Sequence, residues 1–173
     1  LKITRTDLSK AVKEVPVILR PGLREFIGQC EAKEIPILVF SAGLSDIIAE
    51  VLQNEKLLTP QTHVIANKIA FDPNGVAVDF PPPLIHTCNK NETAVRDHQY
   101  AKDIAHRKNV ILMGDSIGDL QMSAGLEHNV QLTIGFLNHD KSTWLEKYGE
   151  LFDIVILDDS PMDLPIAILS AVA

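Results

Sequence analysis

The sequence predicts an α/β fold with a parallel sheet in a three-layer arrangement. Two observations point to it. Short aliphatic runs alternate with amphipathic segments of helical length along most of the 173 residues, the pattern of strands joined by right-handed crossover helices. Several runs, among them Ile37-Leu38-Val39-Phe40 and Val110-Ile111-Leu112-Met113, are apolar without alternation. Parallel strands covered on both faces read this way.

The elements follow in order. Leu8 to Val15 reads as a helix capped by Asp7 and ended by Pro16. After Arg20-Pro21-Gly22, a second helix runs from about Gly22 to Ala32, with Leu23, Phe26, Ile27 and Cys30 at helical spacing. Ile35 to Phe40 is a strand whose proline sits near its start, where it is tolerated. Ser41-Ala42-Gly43 reads as a turn into a helix from Asp46 to Gln53, and His63 to Ala66 as a short strand. Lys68 to Val78 reads as a hairpin around Asp72-Pro73-Asn74-Gly75, because Pro and Asn-Gly favour tight turns. Pro81 to Pro83 is a rigid connection, and Lys90 to Ile104 is partly helical. A strand at Val110–Met113 precedes a helix starting at Leu120. A strand at Val130–Phe136, a helix at Lys141–Tyr148, a strand at Asp153–Leu157 and a helix at Met162–Ala173 complete the chain.

Composition narrows the function classes. Hydrophobic residues at 46% and charged residues at 23% support one globular core. A net charge of −7 with no Lys/Arg cluster disfavours a nucleic-acid polymer as partner. No apolar run approaches a membrane span. Cys30 and Cys88 have no CxxC spacing, so neither a disulfide framework nor a zinc site is indicated, and a cytoplasmic protein with free thiols is the simplest reading.

Three strand or loop ends carry chemistry. Gly114-Asp115-Ser116-Ile117-Gly118-Asp119 follows the aliphatic run at Val110–Met113. It therefore lies at a strand's carboxyl end, where open α/β sheets bind ligands. Two carboxylates there suit a hard cation such as Mg²⁺, whereas the plain alternative is an acidic turn that only links strand to helix. Ser41 and the Ala42 backbone could cradle a phosphate at a helix start, although a Ser here also serves simply as a cap. Lys90, between Asn89 and Asn91, could neutralise a phosphoryl oxygen, against the commoner case of a solvated lysine. His86 reads as structural or surface-exposed. His106, His128 and His139 lack metal-ligand spacing, and Asp158-Asp159 reads as a solvated turn. Trp144 and Tyr148, four apart, read as packing on the sheet edge rather than as a base-stacking pair.

A hydroxyl after one strand, a lysine before a helix and Gly-Asp-x-x-x-Asp after a later strand stand in an order that resembles the haloacid dehalogenase superfamily of phosphohydrolases. Ile35–Gly43, Leu84–Asn91, Val110–Leu120, Ile134–Asn138 and Glu146–Val155 together resemble the cytosolic 5′-nucleotidase III family, from about Leu19 to the end of the chain. The resemblance implies a Rossmann-like, haloacid-dehalogenase-like core and Mg²⁺-dependent release of phosphate from nucleoside 5′-monophosphates, pyrimidine or 7-methylguanosine. It implies that Ser41 and Ala42 bind phosphate. Lys90 would neutralise the phosphoryl charge and orient the nucleophile. Asp115 would bind Mg²⁺, and Asp119 would hold Lys90 or a metal-bound water.

That family's opening motif, a hydrophobic strand ending in Asp-x-Asp-x-Thr, supplies the nucleophile. It has no counterpart here. Arg5-Thr6-Asp7-Leu8 lacks the strand and the second carboxylate, Phe71-Asp72-Pro73-Asn74 lies in the hairpin, and Asp158-Asp159-Ser160 comes at the far end. The expectation is a core incomplete at its N-terminus. Residues 1–18 would be the end of a helical cap region, and 19–173 the core with a hairpin excursion near 67–80. The complete protein is expected to be a monomer, and the 173-residue chain alone to be inactive. Two other readings stay open: a non-catalytic domain of this fold that binds nucleotide or protein, and a phosphohydrolase for a phosphoserine-like metabolite. Ser41, Lys90, Asp115 and Asp119 together favour the nucleotidase, since two clustered carboxylates repel each other without a cation.

Overall fold

The computed structural model describes residues 2–86, 100–101, 104–123 and 128–172. The chain divides into two compact units, Leu1–His86 with Pro161–Ala173 and Thr87–Ser160. Among the described residues no helix is long and apolar enough to cross a membrane.

In the first unit, α1 (Arg5–Glu14) begins three residues earlier than the sequence suggests. Thr4, not Asp7, is the N-cap. Its hydroxyl accepts from the Asp7 amide at 3.1 Å, and the Asp7 carboxylate accepts from the Thr4 amide at 2.9 Å. This reciprocal box satisfies two amides that a helix start leaves without partners. No residue of α1 is buried. Polar contacts hold it on α3 (Ser45–Asn54), including Ser9 Oγ donating to Glu50 at 2.7 Å and an Arg5–Asp46 pair at 3.4 Å. The hairpin forms as Asp72-Pro73-Asn74-Gly75 predicts, with its turn built on Asp72, whose Oδ1 accepts from the Asn74 and Val76 amides at 2.9 and 2.8 Å. Gly75 there has φ of 77°, a conformation that suits glycine.

Strand β1 (Ile37–Leu44) pairs in parallel with β2 (Thr62–Asn67), while β3 (Ala70–Phe71) and β4 (Ala77–Asp79) make the antiparallel hairpin. Helix α2 (Leu23–Ala32) buries Phe26, Ile27 and Cys30 on one face, as its periodicity predicts. It packs against the last helix, Asp163–Val172, which buries Pro165 and Leu169. The close approach is set at Gly22, where a Cβ would meet Met162 Cβ at 3.2 Å.

The second unit is built on three parallel strands in the order β5 (Asn109–Gly114), β6 (Val130–Leu137) and β7 (Ile154–Leu157). A 3₁₀ helix, Ile117–Ser123, follows β5; it starts earlier than the helix expected at Leu120 and takes in Asp119. Helix α4 (Lys141–Leu151) joins β6 to β7, and the last helix of the chain is therefore α5. Leu137, Tyr148 and Phe152 form a buried cluster against Ile117, Leu120 and Val155. Gly135 exists for this packing, because a Cβ there would lie 2.8 Å from the Phe152 ring. The parallel pairing expected from the sequence is present. Among the described residues it falls into a pair, β1-β2, and a triplet, β5-β6-β7, in separate sheets.

Asp153 locks β7 to β6. Its carboxylate accepts from the Thr133 amide and hydroxyl, both at 2.8 Å, and these bonds hold its pKa below the ordinary 3.8. A carboxyl with a lowered folded-state pKa adds stability above its unfolded value and loses it as pH falls through the folded one. Thr133→Val is expected to cost about 1 kcal/mol near neutral pH, at the low end because the carboxylate is exposed to solvent. Urea melts across pH should show the gap to wild type narrowing below 3.8.

Candidate functional site

The acidic loop is shaped by one close contact. Asp119 is buried, 4% exposed, and lies against the backbone of Gly114. A Cβ at residue 114 would fall 2.5 Å from Asp119 Cβ and 2.6 Å from its Oδ2. Asp119 Oδ2 accepts from the Ser116 amide at 3.1 Å, the Asp119 amide donates to the Ser116 carbonyl at 3.0 Å, and Ser116 Oγ accepts from the Gly118 amide at 3.2 Å. A buried carboxylate requires such donors. Asp119 thus fixes the loop from beneath, and Asp115 is the residue left at the carboxyl end of β5.

Asp115 lines a cleft of about 380 Å³ with Ser116, Asn138, His139, Trp144 and Tyr148. Tyr148 packs, as expected, here in the buried cluster with Leu137 and Phe152, and it does more. Its ring is buried and stacked on Phe152 at 5.1 Å, and its hydroxyl donates to the Asp115 carbonyl at 2.6 Å. Burial, then the charges of Asp115 and Asp119, push its pKa above the ordinary tyrosine range, so it stays a neutral donor. Trp144, 40% exposed, stands on the cleft wall. Neither the hydroxyl's bond to Asp115 nor Trp144's place on the cleft was legible from the i,i+4 spacing. His128 bonds the Ser123 carbonyl at 3.2 Å, a structural contact. Asp158 accepts from Lys141 Nζ at 2.6 Å, so this turn is ion-paired as well as solvated.

Ser41 belongs to the first unit and does not lie in a turn after β1. The strand runs on to Leu44 through a bulge: Phe40 pairs with Ile65 and Leu44 with Asn67, so Ser41, Ala42 and Gly43 stand opposite Ala66 alone. Ser41 Oγ accepts from the Gly43 amide at 3.0 Å, and the N-cap of α3 is Leu44. The plain reading of Ser41 as the helix cap therefore fails, because the bulge spends its hydroxyl on the strand's own backbone. Asn67, which sequence reasoning missed, clamps this segment. Its Nδ2 donates to the carbonyls of Ala42 at 2.8 Å and Ile85 at 2.9 Å, and its Oδ1 accepts from the Ile85 amide at 2.7 Å. Asn67 thereby ties the Ser41–Ala42 segment to the chain at Ile85. Lys90 itself, with Cys88 and most of the expected 90–104 helix, lies outside the described residues.

The donors present fit one side of a Mg²⁺ site. Among the described residues no cluster of three or more His, Cys, Asp or Glu is arranged to hold a metal. Mg²⁺ commonly takes one or two carboxylates and completes its shell with water and substrate phosphate, and Asp115 at the edge of the cleft can supply one of them. Gly114→Ala tests the loop's construction. It is expected to lower stability by roughly 1–3 kcal/mol in thermal or urea unfolding, since the methyl overlaps Asp119 and strand β5 cannot yield.

Comparison with known proteins agrees with this architecture. A family model described as pyrimidine 5′-nucleotidase (UMPH-1) matches residues 1–173. The chain is 38% identical over 173 residues to 7-methylguanosine phosphate-specific 5′-nucleotidase B of Xenopus laevis, covering 99% of this chain and 59% of that one. It superposes on the crystal structure of cytosolic 5′-nucleotidase IIIB bound to cytidine with a TM-score of 0.85 and 37% identity, over 96% of this chain and 55% of that one. A phosphoserine phosphohydrolase-like protein from Francisella tularensis shares the fold, with a TM-score of 0.61 at 19% identity, over 98% of this chain and 71% of that one. The chain thus spans a little over half the length of its nearer relatives here, 59% and 55%. Its core is the α/β, haloacid-dehalogenase-like core that the strand ends implied, and with a match along its whole length the chain belongs to the pyrimidine 5′-nucleotidase (UMPH-1) family.

Proposed function

We propose that this chain forms the phosphate- and metal-facing part of a 5′-nucleotidase. Its substrates are nucleoside 5′-monophosphates carrying a pyrimidine or 7-methylguanine base. The observation that supports this best is the acidic loop: a buried Asp119 holds the loop against Gly114 and leaves Asp115 beside a cleft at a strand's carboxyl end.

Each residue has a role suited to its chemistry. Ser41 and the Ala42 amide bind the substrate phosphate, in a segment that Asn67 holds in shape. Lys90 neutralises the phosphoryl oxygens and orients the attacking carboxylate. Asp115 holds Mg²⁺, and Asp119 keeps the loop and Lys90 in register. When bound, Mg²⁺ supplies charge neutralisation at the phosphoryl group. The attacking carboxylate, which would form an aspartyl-phosphate, belongs to an Asp-x-Asp-x-Thr strand that is not among these 173 residues. We read residues 1–18 as the end of a helical cap region and 19–173 as core. We also read the protein as cytoplasmic, in keeping with a family relative named cytosolic.

The experiment has two arms. The 173-residue chain alone is expected to release no phosphate from CMP or 7-methyl-GMP with Mg²⁺, because nucleophilic catalysis needs the nucleophile. A longer protein carrying the Asp-x-Asp-x-Thr strand is expected to release it, and Asp115→Asn there should lower kcat/KM by about 100-fold or more. Full activity of Asp115→Asn would sink the reading.

A further inference from the structure

We propose that Tyr148 is a positioning residue for the metal-facing carboxylate: its hydroxyl pins the Asp115 backbone so that the side chain is presented at the end of β5. This rests on the reading of Asp115 as a metal ligand and deepens it.

The backbone around Asp115 has three anchors. Before it, Gly114 is the last residue of β5 in register with β6, opposite Gly135. After it, the Ser116 amide is held by Asp119. Asp115 lies between them, past the end of the strand ladder, and the fixed point on Asp115 itself is the Tyr148 hydroxyl at 2.6 Å from its carbonyl oxygen. A residue just beyond a strand can rotate its peptide, and rotation swings the side chain with it. A bond to the carbonyl removes that freedom without occupying the carboxylate.

The donor is itself fixed. Tyr148 is 6% exposed on α4, its ring packed on Phe152 with an interplanar angle of 26°. Phe152 in turn is held beneath Gly135, where no side chain intervenes. The position of the hydroxyl is therefore set by the same strand, β6, that sets the register of β5. Partners that orient a metal ligand without touching the metal are a recurrent device, and removing one commonly weakens binding by about 10–100-fold.

Phenylalanine keeps the ring and deletes only the hydroxyl, so Tyr148→Phe isolates the bond. The test is titration, with Mn²⁺ as a stand-in for Mg²⁺, of the longer protein that carries the Asp-x-Asp-x-Thr strand, read by water-proton relaxation at a temperature where every variant is folded. Thr133→Val is the control, since it weakens the β6–β7 lock in the same unit without touching the loop. Tyr148→Phe should weaken Mn²⁺ binding by about tenfold. Thr133→Val should lower the melting temperature and leave the affinity at the wild-type value. Asp115→Asn should abolish the binding. If Tyr148→Phe binds like wild type while Asp115→Asn does not bind, the positioning role is overturned and the metal site stands. If Asp115→Asn binds like wild type, or wild type does not bind at all, the metal reading itself falls. If Tyr148→Phe and Thr133→Val lose affinity equally, the hydroxyl contributes only to general stability and the inference is overturned.

Discussion

The contact between Asp119 and the backbone of Gly114 shapes the acidic loop and everything arranged on it. A carboxylate 4% exposed must be met by donors, and the Ser116 amide meets it. The donor is reachable because residue 114 has no Cβ: a methyl there would stand 2.6 Å from the carboxylate oxygen. The glycine lets the loop fold onto its own strand. The loop's second carboxylate, Asp115, is then the one beside the cleft. Two acidic residues, each directly after a glycine, thus stand differently: Asp119 is buried on the Ser116 amide, and Asp115 lines the cleft.

The first unit solves a related problem by another route. The Ser41–Gly43 bulge cannot make the regular ladder with β2, so its backbone groups need other partners. Ser41 Oγ takes the Gly43 amide, and the Asn67 amide group takes the Ala42 carbonyl. Asn67 uses its remaining capacity on Ile85, both as donor and as acceptor. One side chain at the end of β2 therefore holds two segments, at Ala42 and at Ile85.

Much of this was legible in the sequence. The β5 and β7 runs are apolar and near-continuous, β6 alternates apolar with small or polar residues, and each strand forms within a residue or two of where the pattern ends. The hairpin turn was legible because Asp72-Pro73-Asn74-Gly75 contains the residues a tight turn demands. Less local features were not. Thr4 outcompetes Asp7 as the helix cap because both take part in one box, and the sequence marks them only as two polar residues three apart. Ser41 looked like a turn residue because a bulge and a turn use the same small, polar residues.

The sequence alone determined the class of fold, the order of the strands along the chain and the placing of an acidic Gly-Asp-x-x-x-Asp loop at a strand's carboxyl end. These follow from periodicity and from the residue types that short-range backbone geometry accepts. Only the tertiary structure decided which carboxylate is buried, that Asn67 clamps Ala42, 25 residues before it, to Ile85, 18 residues after it, and that Tyr148 reaches Asp115 across 33. Those bonds join residues distant in sequence. No local preference encodes them, because each exists only once the fold of its unit has brought the partners within reach.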